Sequence, residues 1–104
     1  MGVPPLSLDQ RRAALKKATE ARRERAAVKV ALKQGETSLS EVLASDSEAI
    51  SKMTVRSLLE SLPAIGKMRA GKILVRLDIS ESRRVRGLGI QQRRRLLESL
   101  TSQR

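Results

Sequence analysis

The chain contains no cysteine, histidine, phenylalanine, tyrosine or tryptophan. Without cysteine there is no disulfide and no thiol nucleophile, and nothing suggests secretion. Without cysteine and histidine the commonest transition-metal ligands are missing as well. No metal and no cofactor are expected. The lack of aromatic rings removes the platforms on which unpaired bases stack, which counts against readers of single strands and RNA loops. No apolar run approaches the roughly 20 residues that a membrane span needs. The N-terminus carries no apolar signal segment, so a cytoplasmic protein is expected. Acidic residues are also scarce, at half the number of the basic ones.

What remains is a short, strongly cationic chain. It has 104 residues, enough for one small domain, with 22 Lys and Arg against 11 Asp and Glu and a net charge of +11. Such an excess points to a polyanion, most often nucleic acid. With no aromatic side chains, a duplex backbone read by charge and shape is the best match. The charge is uneven. Residues 9–33 hold nine basic and three acidic side chains, residues 34–66 two and five, and residues 67–104 eleven and three. Two cationic arms thus flank a mildly acidic middle.

Met1 to Ser7 contains Pro4 and Pro5 and no charge, and reads as a flexible leader. A long helix is predicted from Leu8 to Gln34, with Asp9 as its cap or first-turn acid and Gly35 ending it. Its apolar side is thin, with Ala14, Ala18, Ala21, Val28 and Leu32. Residues 26–34 are therefore expected on the core, and residues 8–22 in solvent. Arg11, Arg12, Lys16, Arg22, Arg23 and Arg25 make this helix a candidate arm along DNA; the plainer reading is the solvated face of a surface helix. Membrane-surface binding fits poorly, because the helix lacks large apolar residues on one face.

Ser38 and Glu41 have capping-box spacing and open a short helix with Leu39, Val42 and Leu43 inward. Asp46-Ser47-Glu48 starts another turn carrying Ile50 and Met53. Thr54 caps a helix holding Val55, Leu58, Leu59 and Leu62, with Met53 and Leu58 spaced as a hydrophobic staple. These residues read as core.

The densest functional signal is Leu62-Pro63-Ala64-Ile65-Gly66-Lys67-Met68-Arg69-Ala70-Gly71-Lys72. Pro63 ends the preceding helix, Ile65 is an apolar anchor, and Gly66 is expected to take the sharp turn and admit a close neighbour. A helix then starts near Lys67 and runs to about Leu77. Its first amides lack helical partners and carry the positive end of the dipole, which suits an anion. Lys67, Arg69 and Lys72 supply cations there. Ile65, Met68, Ile73, Leu74 and Leu77 are predicted to form the apolar side. Gly71 has room-making value at most.

Ser80 is expected to cap a turn leading into Arg83-Arg84-Val85-Arg86-Gly87-Leu88-Gly89. Arginine binds phosphate in bidentate fashion and fits narrow minor grooves, so Arg83, Arg84, Arg86 and Gly87 are candidate DNA contacts. A last helix starts near Ile90, with Leu96, Leu97 and Leu100 inward and Arg93, Arg94 and Arg95 around it; Arg93 and Arg94 are further candidates. Arginine-rich ends that serve only solubility are the plainer alternative.

No strand signal is present. The fold expected is all-α, a small helical bundle with a protruding N-terminal helix. Residues 1–34 form the leader and basic helix, and residues 35–104 the DNA-binding domain.

The chain resembles the actinobacterial integration host factors of mycobacterial and streptomycete type. The match rests on Leu-Pro-x-x-Gly-Lys-x-Arg-Ala at Leu62–Ala70 and on Arg-Arg-x-Arg-Gly-Leu-Gly-x-x-Gln-Arg at Arg83–Arg93. It extends to Gln10–Lys17 and to the basic helix at Arg22 and Arg23. The resemblance implies a helix-two-turn-helix core like that of ribosomal protein S13 and the formamidopyrimidine-type glycosylases. It also implies a nucleoid-associated protein that binds double-stranded DNA with little sequence preference and affects compaction, topology and phage integration; a monomer in solution is expected. Gly66 and the adjacent amides would then hold a phosphate, reinforced by Lys67, Arg69 and Lys72, with Pro63, Ala64 and Ile65 among the DNA-binding residues of the same turn. Ala64 stands where many related turns have glycine.

Other classes fit less well. The glycosylases attack with an N-terminal proline amine, but Pro4 is internal and its nitrogen is acylated, so no enzyme and no small-molecule substrate are expected. An RNA- or ribosome-associated role, by analogy with S13, is the alternative; competition between duplex DNA and structured RNA separates the two.

Overall fold

The computed structural model describes residues 7–101. The leader expected at Met1–Ser7 lies outside this range except for Ser7, which is the N-cap of the first helix. Ser7 Oγ accepts from the Gln10 amide at 3.1 Å, and the Ser7 amide donates to Gln10 Oε1 at 2.9 Å. This reciprocal pair, rather than Asp9, opens α1, Leu8–Gln34. Asp9 is left as the acid in the first turn, where it favours the helix dipole. Gly35 ends α1 with φ of 75°. The Glu36 amide reaches back to Ala31 O at 2.9 Å, as a left-handed glycine closure allows.

At 1.5 Å per residue, the 27 residues of α1 span about 40 Å. That length accounts for the elongated shape, 54 × 32 × 23 Å. Residues 8–18 are all exposed. Val28 packs against the core and Leu32 is buried within it. The helix divides along these lines only in part: Thr19 and Ala21, expected in solvent, are half-buried, and Val30, expected on the core, is exposed. The middle of α1 also finds a neighbour: Ser47 donates from its hydroxyl to Glu24 at 2.7 Å.

Three short helices follow: α2, Leu39–Leu43; α3, Glu48–Ser51; and α4, Val55–Glu60. Ser38, Ser47 and Thr54 cap them by accepting from the amides of Glu41, Ile50 and Ser57. The Ser38–Glu41 capping box forms only by half. Glu41 Oε2 accepts from Thr37 Oγ1 at 3.0 Å instead of turning back to the Ser38 amide.

Two successive turns connect α4 to α5, Lys67–Arg76. The Leu62 amide donates to Leu59 O and the Ile65 amide to Leu62 O, at 3.1 and 3.3 Å. This is the helix-two-turn-helix unit that the sequence implies. After α5 the chain passes Asp78 in the left-handed region at φ 55°, and the Ile79 amide closes on Leu74 O at 2.9 Å. Ser80 caps no helix; it accepts from the Ser82 amide in a turn. Residues 83–85 then run beside residues 53–55. The Val55 amide donates to Arg83 O and the Val85 amide to Met53 O, both at 2.9 Å. This isolated antiparallel bridge between Thr54 and Arg84 is the one strand-like pairing among the described residues. A single 3₁₀ turn, Val85–Gly87, leads to α6, Ile90–Thr101.

The core is aliphatic. Leu32, Leu58, Leu59, Ile73, Leu74, Leu96 and Val55 are its largest fully buried side chains. Met53 and Leu58 both lie within it, as the staple spacing predicts. Met68 does not, contrary to expectation: it is 79% exposed. At the second position of α5 it has turned away from the Ala70, Ile73 and Leu74 side, and no other element covers it.

Candidate nucleic-acid interface

The turn before α5 folds differently from what its glycine suggests. Gly66 has φ of −96° and ψ of −170°, which any residue adopts, and a Cβ built there would meet nothing within 4 Å. The left-handed residue is Ala64, at φ 64°. The sharp reversal therefore falls two residues earlier than predicted, on a residue with a Cβ. What Gly66 contributes is bare, exposed backbone at a helix start.

That start is uncapped. No side chain accepts from the first amides of α5, and the Ala70 amide closes the helix on Gly66 O at 3.0 Å. Pro63, Ala64, Gly66, Lys67, Arg69 and Lys72 are exposed around it. Ile65 is different: its side chain is 8% exposed in the core, and its amide is used within the turn. It holds the loop down and could offer a ligand only its carbonyl. Arg69 reaches back toward Ala64 O at 3.5 Å.

The arginine segment forms a second surface. Val85 is a buried plug, and Arg83, Arg84 and Arg86 are exposed on either side of it. Arg83 Nη1 donates to Gly87 O at 3.2 Å. A Cβ on Gly87 would lie 3.2 Å from Arg83 Cδ, so the glycine makes room for this arginine. Arg84 Nη1 donates to Lys52 O at 2.8 Å, over the end of α3. Ser80, Ser82, Arg83, Arg84, Arg86 and Gly87 line a shallow depression of about 230 Å³ with no carboxylate in its wall.

The remaining predicted residues are spread more widely. Arg94 is exposed on α6, whereas Arg93 is half-buried and its Nε is enclosed with no hydrogen-bond partner. Arg22 and Arg23 are exposed on α1. The cations of α1 that approach the arginine segment are Arg25 and Lys29, which line a depression together with Lys52 and Arg84.

Two residues that hold these surfaces in place were not visible in the sequence. Arg56 on α4 donates from Nε to Glu60 at 2.9 Å, from Nη1 to Glu81 at 2.8 Å and from Nη2 to Lys67 O at 3.1 Å. It ties the start of α5 to the loop that precedes the arginines. Its guanidinium lies beside Gly71, 3.5 Å from where a Cβ would be. Lys33 Nζ donates to Glu60 O and Leu62 O at 3.3 and 3.2 Å, and so closes the C-terminal end of α4 from α1. The glutamate four residues after Arg56 is the only local sign of this role.

One acid has a shifted titration. A hydrogen bond and ion pair from Lys52, 3.1 Å away, hold the Glu48 carboxyl below its ordinary value, with Lys17 adding to the effect.

Comparison with known proteins places these features in context. The S13-like H2TH domain family matches residues 32–100. The integration host factor of Streptomyces coelicolor is 57% identical over 94 residues, 88% of each chain. That of Mycobacterium tuberculosis is 49% identical over 104 residues, covering 98% of this chain and 99% of its own. A solved structure of sIHF bound to an 8-base-pair palindromic DNA superposes with a TM-score of 0.73 at 52% identity, over 84% of this chain and 96% of that one.

Proposed function

The chain belongs to the integration host factor family of actinobacteria, built on an S13-like helix-two-turn-helix domain, and from that premise we propose that it is a nucleoid-associated protein that grips double-stranded DNA by its phosphates with little sequence preference. The observation that carries this reading is the pairing of two exposed cationic surfaces on one rigid core. One is the uncapped start of α5; the other is the carboxylate-free arginine depression.

In this reading the amides after Gly66 take one phosphate, with Lys67, Arg69 and Lys72 reinforcing them by charge. The backbone of Pro63 and Ala64 flanks that phosphate, and Ile65 contributes by anchoring the loop. Arg83, Arg84 and Arg86 take phosphates or a narrow minor groove, with Gly87 fixing the pose of Arg83. Arg93, Arg94, Arg22 and Arg23 extend the contact electrostatically. The division into a basic arm up to residue 34 and a DNA-binding domain from residue 35 belongs to this proposal, with the last turn of α1 seated on the domain.

The protein acts in the nucleoid as an architectural monomer without catalysis. By bending one duplex or bridging two, it affects compaction, topology and site-specific integration. The test is affinity for duplex DNA against salt, with structured RNA as competitor. About six neutralised phosphates give a slope of log affinity on log salt near −5. A shallow slope, or preference for the RNA, overturns the reading. For bridging, Arg83→Ala with Arg86→Ala is expected to abolish compaction; unchanged compaction together with unchanged single-duplex affinity contradicts it.

A further inference from the structure

Arg25 and Lys29 stand one helical turn apart on α1, and they meet two cations from other elements. Lys52 closes α3, and Arg84 crosses to it from the bridged segment, its guanidinium donating to Lys52 O at 2.8 Å. Together with Thr54 and Ser57 these four line a depression of about 370 Å³, the size of a small ligand site. No carboxylate lines it; Glu48, which pairs with Lys52 at 3.1 Å, stays outside its wall. Among the described residues, neither Arg25 nor Lys29 has an ion pair. With only Lys52 paired to an acid, the gathered like charges repel one another, and an anion relieves it. The sole apolar lining residue is Met53, itself buried, and no aromatic ring lines the site. Arg84 also lines the arginine depression, so the two hollows share a wall.

We propose that Arg25, Lys29, Lys52 and Arg84 form a further phosphate seat, and that the backbone of the duplex held at the arginine depression runs on through Arg84 into it. The inference rests on the duplex-binding reading above. It adds the C-terminal half of α1 to the interface and replaces Arg22 and Arg23 by Arg25 and Lys29 as the cations of that helix that touch DNA. The Arg84–Lys52 bond and the Thr54–Arg84 bridge fix one side of the seat before DNA arrives, so little ordering remains to be done on binding.

The test compares Arg25→Gln/Lys29→Gln with Arg76→Gln/Arg95→Gln, which removes the same charge elsewhere. Binding of a duplex of about 25 base pairs is measured across a salt series, and thermal melts confirm that both variants fold. The first variant is expected to lose affinity roughly tenfold, the size of one charge-assisted contact. Its salt slope should become shallower by about one, while the second variant keeps the wild-type slope. Equal behaviour of the two variants, with wild type still binding steeply, overturns the seat alone. Wild type without a steep slope overturns the duplex reading beneath it. Calorimetric titration with inorganic pyrophosphate covers the other source of phosphate. Heat lost in Arg25→Gln/Lys29→Gln while duplex affinity is unchanged would assign the pocket to a free phosphate compound and overturn the assignment to DNA.

Discussion

Ala64→Gly isolates the strain in the turn that presents α5. Ala64 sits at φ 64°, where a residue with a Cβ is about 1–2 kcal/mol worse than in its ordinary conformations. It is exposed, so little burial is lost with its methyl group. Glycine removes the strain but enlarges the freedom of the unfolded chain, which offsets about 0.4–1 kcal/mol. The net gain is on the order of 0.5–1 kcal/mol, which for a folded unit of this size raises the melting temperature by roughly 2–8 °C. Gly66→Ala gives the complementary case. Its φ of −96° and the open space around a built Cβ allow alanine without strain, and the stiffer unfolded chain adds about 0.4–1 kcal/mol. Both substitutions, opposite in chemistry, should therefore raise the midpoint of thermal and urea unfolding at constant m-value. Only Gly66→Ala should weaken duplex binding, because it alone puts a methyl group on the bare helix start. The reasoning is refuted if Gly66→Ala lowers the midpoint while Ala64→Gly leaves it unchanged; the left-handed residue would then be Gly66.

Arg56→Gln should destabilise the fold by about 1–2 kcal/mol, a figure discounted for partial exposure of its carboxylate partners. Hydrogen exchange should quicken at both the α5 start and residues 80–84, since Arg56 holds both; quickening at only one contradicts the clamp. Gly87→Ala leaves the core untouched but pushes Arg83, whose Cδ would lie 3.2 Å from the new methyl. It should weaken DNA binding a few-fold with an unchanged melting temperature, and an unchanged affinity would remove Arg83 from the interface. Glu48→Gln frees Lys52 and should tighten binding at low salt, with the gain vanishing as salt screens it. In the wild type the lowered Glu48 pKa means that its pairing is present above the ordinary carboxylate range and lost as pH falls through the folded value. The difference between wild type and Glu48→Gln should therefore persist at neutral pH and close in acid; a difference that grows in acid contradicts the pairing.

Much of this molecule was legible because its signals are local. Ser38, Ser47 and Thr54 each sit one residue before a helix and cap it with their own side chains, and Gly35 ends α1 as a glycine should. The placement of Ile65 in the core and of the cations around the α5 start also followed from residue type and spacing. What failed was of two kinds: local backbone geometry that residue type does not reveal, and partners distant in sequence. Residue type assigns the tight turn to Gly66, yet the two-turn hydrogen bonding of residues 58–65 places the left-handed residue at Ala64. Helical period assigns Met68 to the apolar side, but near a helix start no neighbour covers that position. Arg56, Lys33 and the bridge between Thr54 and Arg84 join residues 11 to 30 apart, and no local pattern announces them. Arg25 and Lys29 looked no different from the other cations of α1 until Lys52 and Arg84 were seen opposite them.

The central claim is that the helix start after Gly66 is a primary phosphate site. The measurement that meets it most directly is the affinity of a duplex of about 25 base pairs across a salt series, for wild type and Gly66→Glu in parallel. The open space at Gly66 lets the glutamate in without disturbing the fold, so a change in binding reports on the site itself. Most affinity should be lost and the salt slope become shallower, with a melting temperature no lower than that of the wild type. A variant that binds as tightly and as steeply as wild type would contradict it, leaving the arginine segment and α1 to hold the DNA and the turn at residues 61–66 to serve the fold alone.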